Sequence, residues 1–540
     1  MKKNLFLSIL GLLLFSTSTI AQIRTIEHPD YESCNTESLE INKMEMKDSV
    51  TVLYCDGFGR PNSWIYLTSK SYLKGKSGKI YKFIRSEGFE MDKEIYMPAS
   101  GTVSFKLYME PLDKNETSFD FMEGEKSDQF QILCIKTYKT KSIAPIHCLI
   151  KGEVIDRPQS SRLILIKTGE DARISAKYIT IRNGKFEYEL DCNDLQAYDL
   201  IFYDEHLNGA WRPITFFAEL GIVSFKLFPM DTFFKNVIEG GKLNDEYTQY
   251  LANEDSLFQF TARNKQENSL NSNNKYYSEV AMNLRKLSQA TKDKQVKDSL
   301  QILVNKLYDS GEIYTPEAQE MNKRSEEMYL KSRAWELKYI KENKSLVGYY
   351  LLINRMKDAL GNFKEDIPEC IELYNSMYAK KYPKHPFTEQ MKIKVESFTS
   401  IKVGGSYIDF VAPDFSGQPV RLSEQIKGKV ALIDLWASWC GPCRRSAKSM
   451  IPVYEAYKDK GFTIVGVARE SELTSGANAA QKDKYPWLNM IELKDKGKIW
   501  EKYGVGNGGG GTFLVDKNGI ILAMSPTDEE VKTILDKLLK

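Results

Sequence analysis

Residues Ile433-Asp434-Leu435-Trp436-Ala437-Ser438-Trp439-Cys440-Gly441-Pro442-Cys443-Arg444 decide how the rest of the chain is read. The apolar run Val430-Ala431-Leu432-Ile433 leads into them as a buried strand would, and an amphipathic helical pattern, Arg444 to Lys458, leads out. Cys440 and Cys443 stand three positions apart at the junction. At a strand-to-helix turn this spacing puts both sulfurs at the helix N-terminus, one facing out and one facing in. Free N–H groups and the helix dipole favour a thiolate there, so the first sulfur is expected to titrate below an ordinary thiol. Pro442 fits the first helical turn, where its missing N–H costs nothing. A neighbouring thiol then permits a reversible disulfide.

Paired cysteines also serve zinc sites and structural bridges. Zinc needs a second Cys or His pair at matching spacing, and the chain has four His, none of them C-terminal to Cys443. A structural bridge closing so short a loop removes little chain entropy. The residues therefore favour redox chemistry.

The run Trp436 to Arg444 resembles the active-site signature of the thioredoxin superfamily, in particular of the exported TlpA-type thiol-disulfide oxidoreductases. The similarity extends from about Val403 to the C-terminus. It takes in Ala412-Pro413-Asp414-Phe415, Val420-Arg421-Leu422-Ser423, Lys427-Gly428-Lys429, then Phe513-Leu514-Val515-Asp516 with Gly519. The resemblance implies a thioredoxin-like α/β fold for residues 401–540. It also implies thiol–disulfide exchange, running as protein-disulfide reduction, because Gly441-Pro442 resembles the pair in reducing members. Cys440 is expected to be the nucleophile, as the more exposed thiol at the helix start, and the deeper Cys443 the resolving thiol. Asp434, six residues before Cys440, matches an Asp that in thioredoxin lies buried behind the pair and takes the resolving thiol's proton. Burial raises such a carboxyl toward neutrality, as a base needs. The competing reading is a solvated Asp near a strand end. Trp436 and Trp439 read as packing and shielding. The catalytic core is expected to need no cofactor and no metal, with electrons coming from a partner thiol donor, often a membrane relay in this family.

Two departures qualify the resemblance. Before the Phe513 strand the family usually has a cis-proline facing the dithiol, whereas here the run is Gly506-Asn507-Gly508-Gly509-Gly510-Gly511-Thr512, with Gly510 in the proline's place. Gly510, Gly511 and Thr512 are expected to form a substrate-docking loop that a substrate backbone approaches closely, and the missing shelf opens the dithiol toward metal. Members of the family also often carry Glu and Pro soon after the second cysteine, where this chain has Ser446 and Lys448, with a proline only at Pro452.

The rest of the chain is ordinary in composition: 540 residues, 42% hydrophobic, 27% charged, net charge +2. That suffices for several cores, and nothing in the charge points to nucleic acid. Residues 1–21 read as a signal peptide, with Lys2 and Lys3, an apolar Leu5 to Phe15, and Thr19-Ile20-Ala21 before Gln22. The alternative is an uncleaved anchor. The expected location is the periplasm, where disulfides are permitted. The six further cysteines, Cys34, Cys55, Cys134, Cys148, Cys192 and Cys370, show no framework spacing, and most read as small core residues.

Four regions precede or include the signature domain. Residues 22–145 carry β-branched and aromatic strands and read as an antiparallel β-sandwich. Residues 146–242 read as a second β module with an Asn183-Gly184 turn, similar to the small β domain that often precedes TlpA-like domains. Residues 243–400 are helical by period over Tyr277 to Leu307 and Glu317 to Lys341, with Asn268 to Lys275 expected as a loop. This region reads as a spacer or homodimerisation element. Residues 401–540 complete a multidomain chain of two β modules, a helical region and an α/β domain. A second reading of the whole is a surface or partner-binding protein whose last domain senses redox state or captures metal. A third is a peroxiredoxin-type peroxidase, but its signature, a lone peroxidatic Cys following Pro-x-x-x-Thr, is absent.

Overall fold

The computed structural model describes residues 24–124, 129–139 and 143–539, so the expected signal peptide lies outside the described residues. Among them no helix is long and apolar enough to cross a membrane. The chain divides into two units, one running up to Ile143 with Gln159–Ser161, the other comprising Ala144–Pro158 and Arg162–Lys540.

In the first unit, alternating burial along strands such as Thr102–Met109 turns Phe105, Leu107 and Met109 inward. The expected β-rich module is antiparallel throughout, a linked run of nine strands with a separate pair of Trp64–Ile65 and Ile95–Tyr96. Strand Ile80–Glu87 links the run, pairing through residues 80–82 with Tyr72–Gly75 and through residues 83–87 with Thr102–Met109. These strands share one apolar core, built around Leu53, Leu107, Phe119 and Phe121.

The second unit joins three parts of the sequence. Its β module does have two four-stranded sheets facing across one core, with Cys148, Ile150 and Phe225 from one and Leu163, Leu165 and Phe216 from the other. The expected Asn183-Gly184 turn is present. Both residues have positive φ (51° and 70°), and Arg182 and Lys185 exchange both backbone hydrogen bonds around them. The helical region packs on this module, since Ala197 and Phe217 share an apolar cluster with Tyr250, Val347 and Leu352.

Asn244 fastens that contact. It is 1% exposed, its Oδ1 accepts from the Phe217 N–H at 2.8 Å, and its Nδ2 donates to the carbonyls of Phe217 and Gly240, each at 2.8 Å. Asn244→Ala leaves buried backbone groups unsatisfied and is expected to destabilise the unit by about 2–4 kcal/mol, measurable as a lowered denaturant midpoint of the full chain.

The helical region differs from expectation at one place. Asn268 to Lys275 does not form a loop throughout, because helix Phe260–Ser272 continues through Ser272. The side chains of Asn271 and Ser272 donate to carbonyls one turn back, at 3.1 and 2.8 Å, and Leu270 is buried with Tyr276 and Met321. The stretch Tyr277 to Leu307 is two helices, Glu279–Ala290 and Lys294–Asp309, the second capped by Asp293. The expected helix over Glu317 to Lys341 is present as Pro316–Glu342.

The C-terminal part runs Val430–Trp436 (β1), Gly441–Tyr457 (α1), Phe462–Glu470 (β2), Leu473–Asp483 (α2), Leu488–Leu493 (β3), Gly511–Val515 (β4), Ile521–Met524 (β5) and Asp528–Leu538 (α3). The strands order β3-β2-β1-β4-β5, parallel across β3, β2 and β1, with β4 antiparallel to both its neighbours, β1 and β5. The expected hairpin across Asn518-Gly519 joins β4 to β5, with Gly519 at φ 84°. Central β1 is buried at every position. Ala431, Ile433 and Leu435 enter one apolar cluster with Tyr503 and Phe513. Val430 and Leu432 enter another with Met450 of α1 and Leu535 of α3. This two-sided burial explains the unbroken apolar run in the sequence.

Candidate active site

The end of β1 and the start of α1 hold Cys440 and Cys443 as a disulfide, with Cα atoms 5.3 Å apart. Cys440 is the N-cap of α1, and its Sγ accepts the Cys443 N–H at 3.3 Å. The sulfur thus takes the place of the usual oxygen at an N-cap, where free N–H groups stabilise negative charge. Gly441 and Pro442 occupy the exposed first turn. The order of exposure is the reverse of the expected one. In the disulfide form Cys440 is 5% exposed and Cys443 is half-buried. The reason is that Cys440 belongs to the apolar cluster of Ala437, Ile499 and Trp500 beneath the turn.

Cys443 has a donor of its own. The Gly510 N–H reaches its Sγ at 3.2 Å. At Gly510 a Cβ would lie 1.9 Å from the Leu435 carbonyl oxygen and 3.1 Å from Cys443 Sγ. No side chain fits at this backbone position, so the glycine lets the main chain itself approach the dithiol. Gly511 and Thr512 follow in β4, paired with Leu435 and Asp434.

Asp434 is 3% exposed, so the solvated reading is set aside. In the alternation of β1 it shares the side of Leu432 and Trp436, which lie in the clusters of α1 and α2. Cys443 packs against the Trp436 cluster as well as the Cys440 cluster. Burial pushes the Asp434 carboxyl up to about 7.

Trp436 is fully buried, donates from Nε1 to Asn489 Oδ1 at 3.1 Å and meets Tyr485 edge-on. Trp439 is 37% exposed and tilts against Trp500 with ring centroids 6.0 Å apart. Both therefore pack around the turn, one inside and one at its rim.

Several site residues escaped the sequence reading. Glu470, at the end of β2, accepts from the Ser438 N–H and, at 2.9 Å, from its hydroxyl, which holds the approach to Cys440. Burial raises its carboxyl. Arg444 donates to the Ser438 carbonyl at 3.1 Å and to Asp483 at 2.6 Å. Lys448 also pairs with Asp483, at 2.8 Å. The hydrogen bond from Arg444, joined by Lys448, brings the Asp483 carboxyl down to about 2. A position at the C-terminal end of a parallel strand is the available signal for Glu470. The paired charges 39 residues apart left none.

The six other cysteines carry thiols, with Cys55, Cys148, Cys192 and Cys370 buried and Cys34 and Cys134 half-buried. Among the described residues no cluster of three or more His, Cys, Asp or Glu is arranged to hold a metal ion.

Known proteins resemble the domain that carries this site. The AhpC/TSA family profile matches residues 403–524. The chain is 30% identical over 143 residues to the thiol-disulfide oxidoreductase ResA of Geobacillus thermodenitrificans, spanning 26% of this chain and 80% of the relative. It is 31% identical over 143 residues to ResA of Geobacillus kaustophilus, with the same shares. Among solved structures, the thioredoxin domain of a thiol-disulfide oxidoreductase from Bacteroides vulgatus is similar at 29% identity and a TM-score of 0.25, over 26% of this chain and 100% of that one.

Proposed function

Because the chain belongs to the thiol-disulfide oxidoreductases of the thioredoxin superfamily, we propose that it exchanges disulfides through Cys440 and Cys443 and acts as a reductase in the periplasm. The observation that carries this reading is the bonded pair at the N-cap of α1, flanked by a buried carboxyl poised near neutrality.

The reduced enzyme starts with Cys440 as a thiolate, favoured by its N-cap N–H. It attacks one sulfur of the substrate disulfide, forms a mixed disulfide and releases the first substrate thiolate. Asp434 takes the Cys443 proton. The Cys443 thiolate attacks Cys440 Sγ, closes the enzyme disulfide and releases the second substrate thiolate; the proton held by Asp434 goes to one product thiolate and solvent supplies the other. Two electrons pass to the substrate, and a thiol donor, proposed to lie at the membrane, returns two to the enzyme. The N-cap position supports Cys440 as nucleophile even though the disulfide form buries it. A substrate must therefore reach it from the rim at Trp439.

Gly510 adds a fixed donor to Cys443 and stabilises its thiolate in the resolving step. Gly510→Pro removes that N–H, and Gly510→Ala keeps it while adding the same collision with Leu435. The proline variant is expected to raise the Cys443 pKa above that of the alanine variant by about one unit, the worth of one charge-assisted hydrogen bond. Ultraviolet thiolate absorbance in a Cys440→Ser background measures it. Equal values in the two variants would sink the role.

The helices Glu279–Ala290 and Lys294–Asp309 are read as a surface for a partner or a second copy, because they leave Val280, Leu287, Ile302 and Leu303 exposed. Sedimentation of the full chain with Leu287→Glu tests this, since an unchanged oligomeric state would remove homodimerisation from the account. The proposed exchange is tested by incubating the reduced chain with an oxidised protein and alkylating the thiols. The expected outcome is transfer of the disulfide to Cys440–Cys443. Oxidation of other cysteines with that pair left reduced would overturn the reading.

A further inference from the structure

We infer that Arg173, contributed by the second β module, is a specificity-determining residue of the dithiol. Its guanidinium at the rim selects substrates with a carboxylate beside the disulfide. The inference rests on the proposed exchange at Cys440–Cys443.

The segment that carries Arg173 is fixed. Helix Ala172–Ser175 begins at its N-cap Asp171, whose Oδ1 accepts from the Arg173 backbone N–H at 3.0 Å and from its Nε at 2.9 Å. Asp171 Oδ2 accepts from Arg173 Nη2 at 2.7 Å and from Arg469 Nη1 of β2 at 3.0 Å. Asp171 is 5% exposed and Arg469 3%. Breaking such a buried pair leaves an uncompensated charge, so the segment keeps its place on the domain.

From that anchor Arg173 spans both walls of the mouth. Its Cζ lies 3.6 Å from the centroid of the Trp439 ring, one residue before Cys440. Its Nη2 also donates to the Asn507 carbonyl at the start of the glycine loop. Its Nη1 takes part in none of these bonds, and the side chain keeps 43% of its surface exposed. A substrate that reaches Cys440 past Trp439 meets this free edge.

The carboxylates beside the mouth, Asp171 and Glu470, are buried at 5% and 3% exposure. Exposed Arg445 brings Nη1 to 3.6 Å from the position of a Cβ on Gly441, between the two cysteines. Two guanidinium groups thus lie near the dithiol, and the carboxylate paired with Arg173 is buried. A carboxylate next to the substrate's disulfide gains a charged N–H donor at Arg173 Nη1 that a neutral or cationic neighbour does not use.

The test uses the reduced full chain and three small disulfides of similar size, namely dithiodiglycolate with two carboxylates, neutral hydroxyethyl disulfide and cationic cystamine. The wild type is expected to favour dithiodiglycolate. Arg173→Ala is expected to lower kcat/KM for dithiodiglycolate about fivefold, near the upper end for a half-exposed ion pair, through KM and with kcat unchanged. Rates on hydroxyethyl disulfide should stay level, and Arg173→Lys should restore most of the loss. Added salt should erase the preference. Comparing substrates within one variant cancels any loss of folded protein. An equal fall on all three disulfides, or no change on any, would overturn the inference and leave the exchange reading standing. If the wild type reduces none of them while Cys440 and Cys443 are thiols, the exchange reading itself falls.

Discussion

Cys440→Ala is expected to abolish disulfide reduction by the full chain, a loss on the order of a thousandfold or more, because Cys443 in the proposed order resolves the mixed disulfide and does not start the attack. Cys443→Ala should behave differently. With Cys440 intact the first attack proceeds, but nothing resolves the product, so a substrate remains joined to Cys440. The adduct appears as a mass increase that a small reductant removes. These two outcomes together assign the order of attack, which exposure in the disulfide form does not, since there Cys440 is the more buried sulfur. If the adduct forms on Cys443 in the Cys440→Ala protein instead, the roles are exchanged and the donor from Gly510 gains the first step.

The second large effect is expected at Asp434. Removing its proton-accepting carboxylate with Asp434→Asn should slow exchange about a hundredfold, the usual size of a general-base contribution. The wild-type rate should rise with pH through about 7, where the carboxyl gives up its proton, and the variant should lose that inflection. Stability should move the other way. The folded carboxyl holds its proton up to about 7 and an unfolded one only to 3.8. Its contribution is therefore fully present below the ordinary carboxylate range and is lost as pH rises through 7. Glu492, also pushed up to about 7 by burial, acts in the same direction. Between mildly acid and mildly alkaline pH the wild type should lose on the order of 2 kcal/mol through Asp434 alone. Asp434→Asn removes that share and leaves the share of Glu492. Denaturant unfolding at the two pH values checks this, and a variant less stable than wild type at alkaline pH would contradict it.

The parts legible in the sequence are those fixed by local spacing. Strand, turn and helix around Cys440 and Cys443 follow from an apolar run, two thiols three apart and an amphipathic period. Asp434 was readable because one carboxyl in an otherwise apolar strand has few places to go. The Asn518-Gly519 and Asn183-Gly184 turns were readable because few other residues accept positive φ. What stayed hidden depends on groups distant in sequence. The burial of Cys440 comes from Ile499 and Trp500. The Gly510 amide reaches Cys443 across 67 residues. Arg469 finds Asp171 across 298. Asn271 and Ser272 misled because short polar side chains favour loops, yet here they bond back onto their own helix. The first module's linked run of strands depended on one strand pairing with two partners along its length, which alternation along that strand does not encode.

The most direct test of the account is the reduction potential of Cys440–Cys443 in the mature chain, equilibrated in graded glutathione buffers and read by alkylation mass shift with Cys440→Ala as the control. The account expects a single two-electron transition at that pair, absent from the control, with a midpoint below the glutathione couple. A midpoint well on the oxidising side would make the protein a disulfide-forming enzyme, and a pair that never closes would contradict the exchange mechanism altogether.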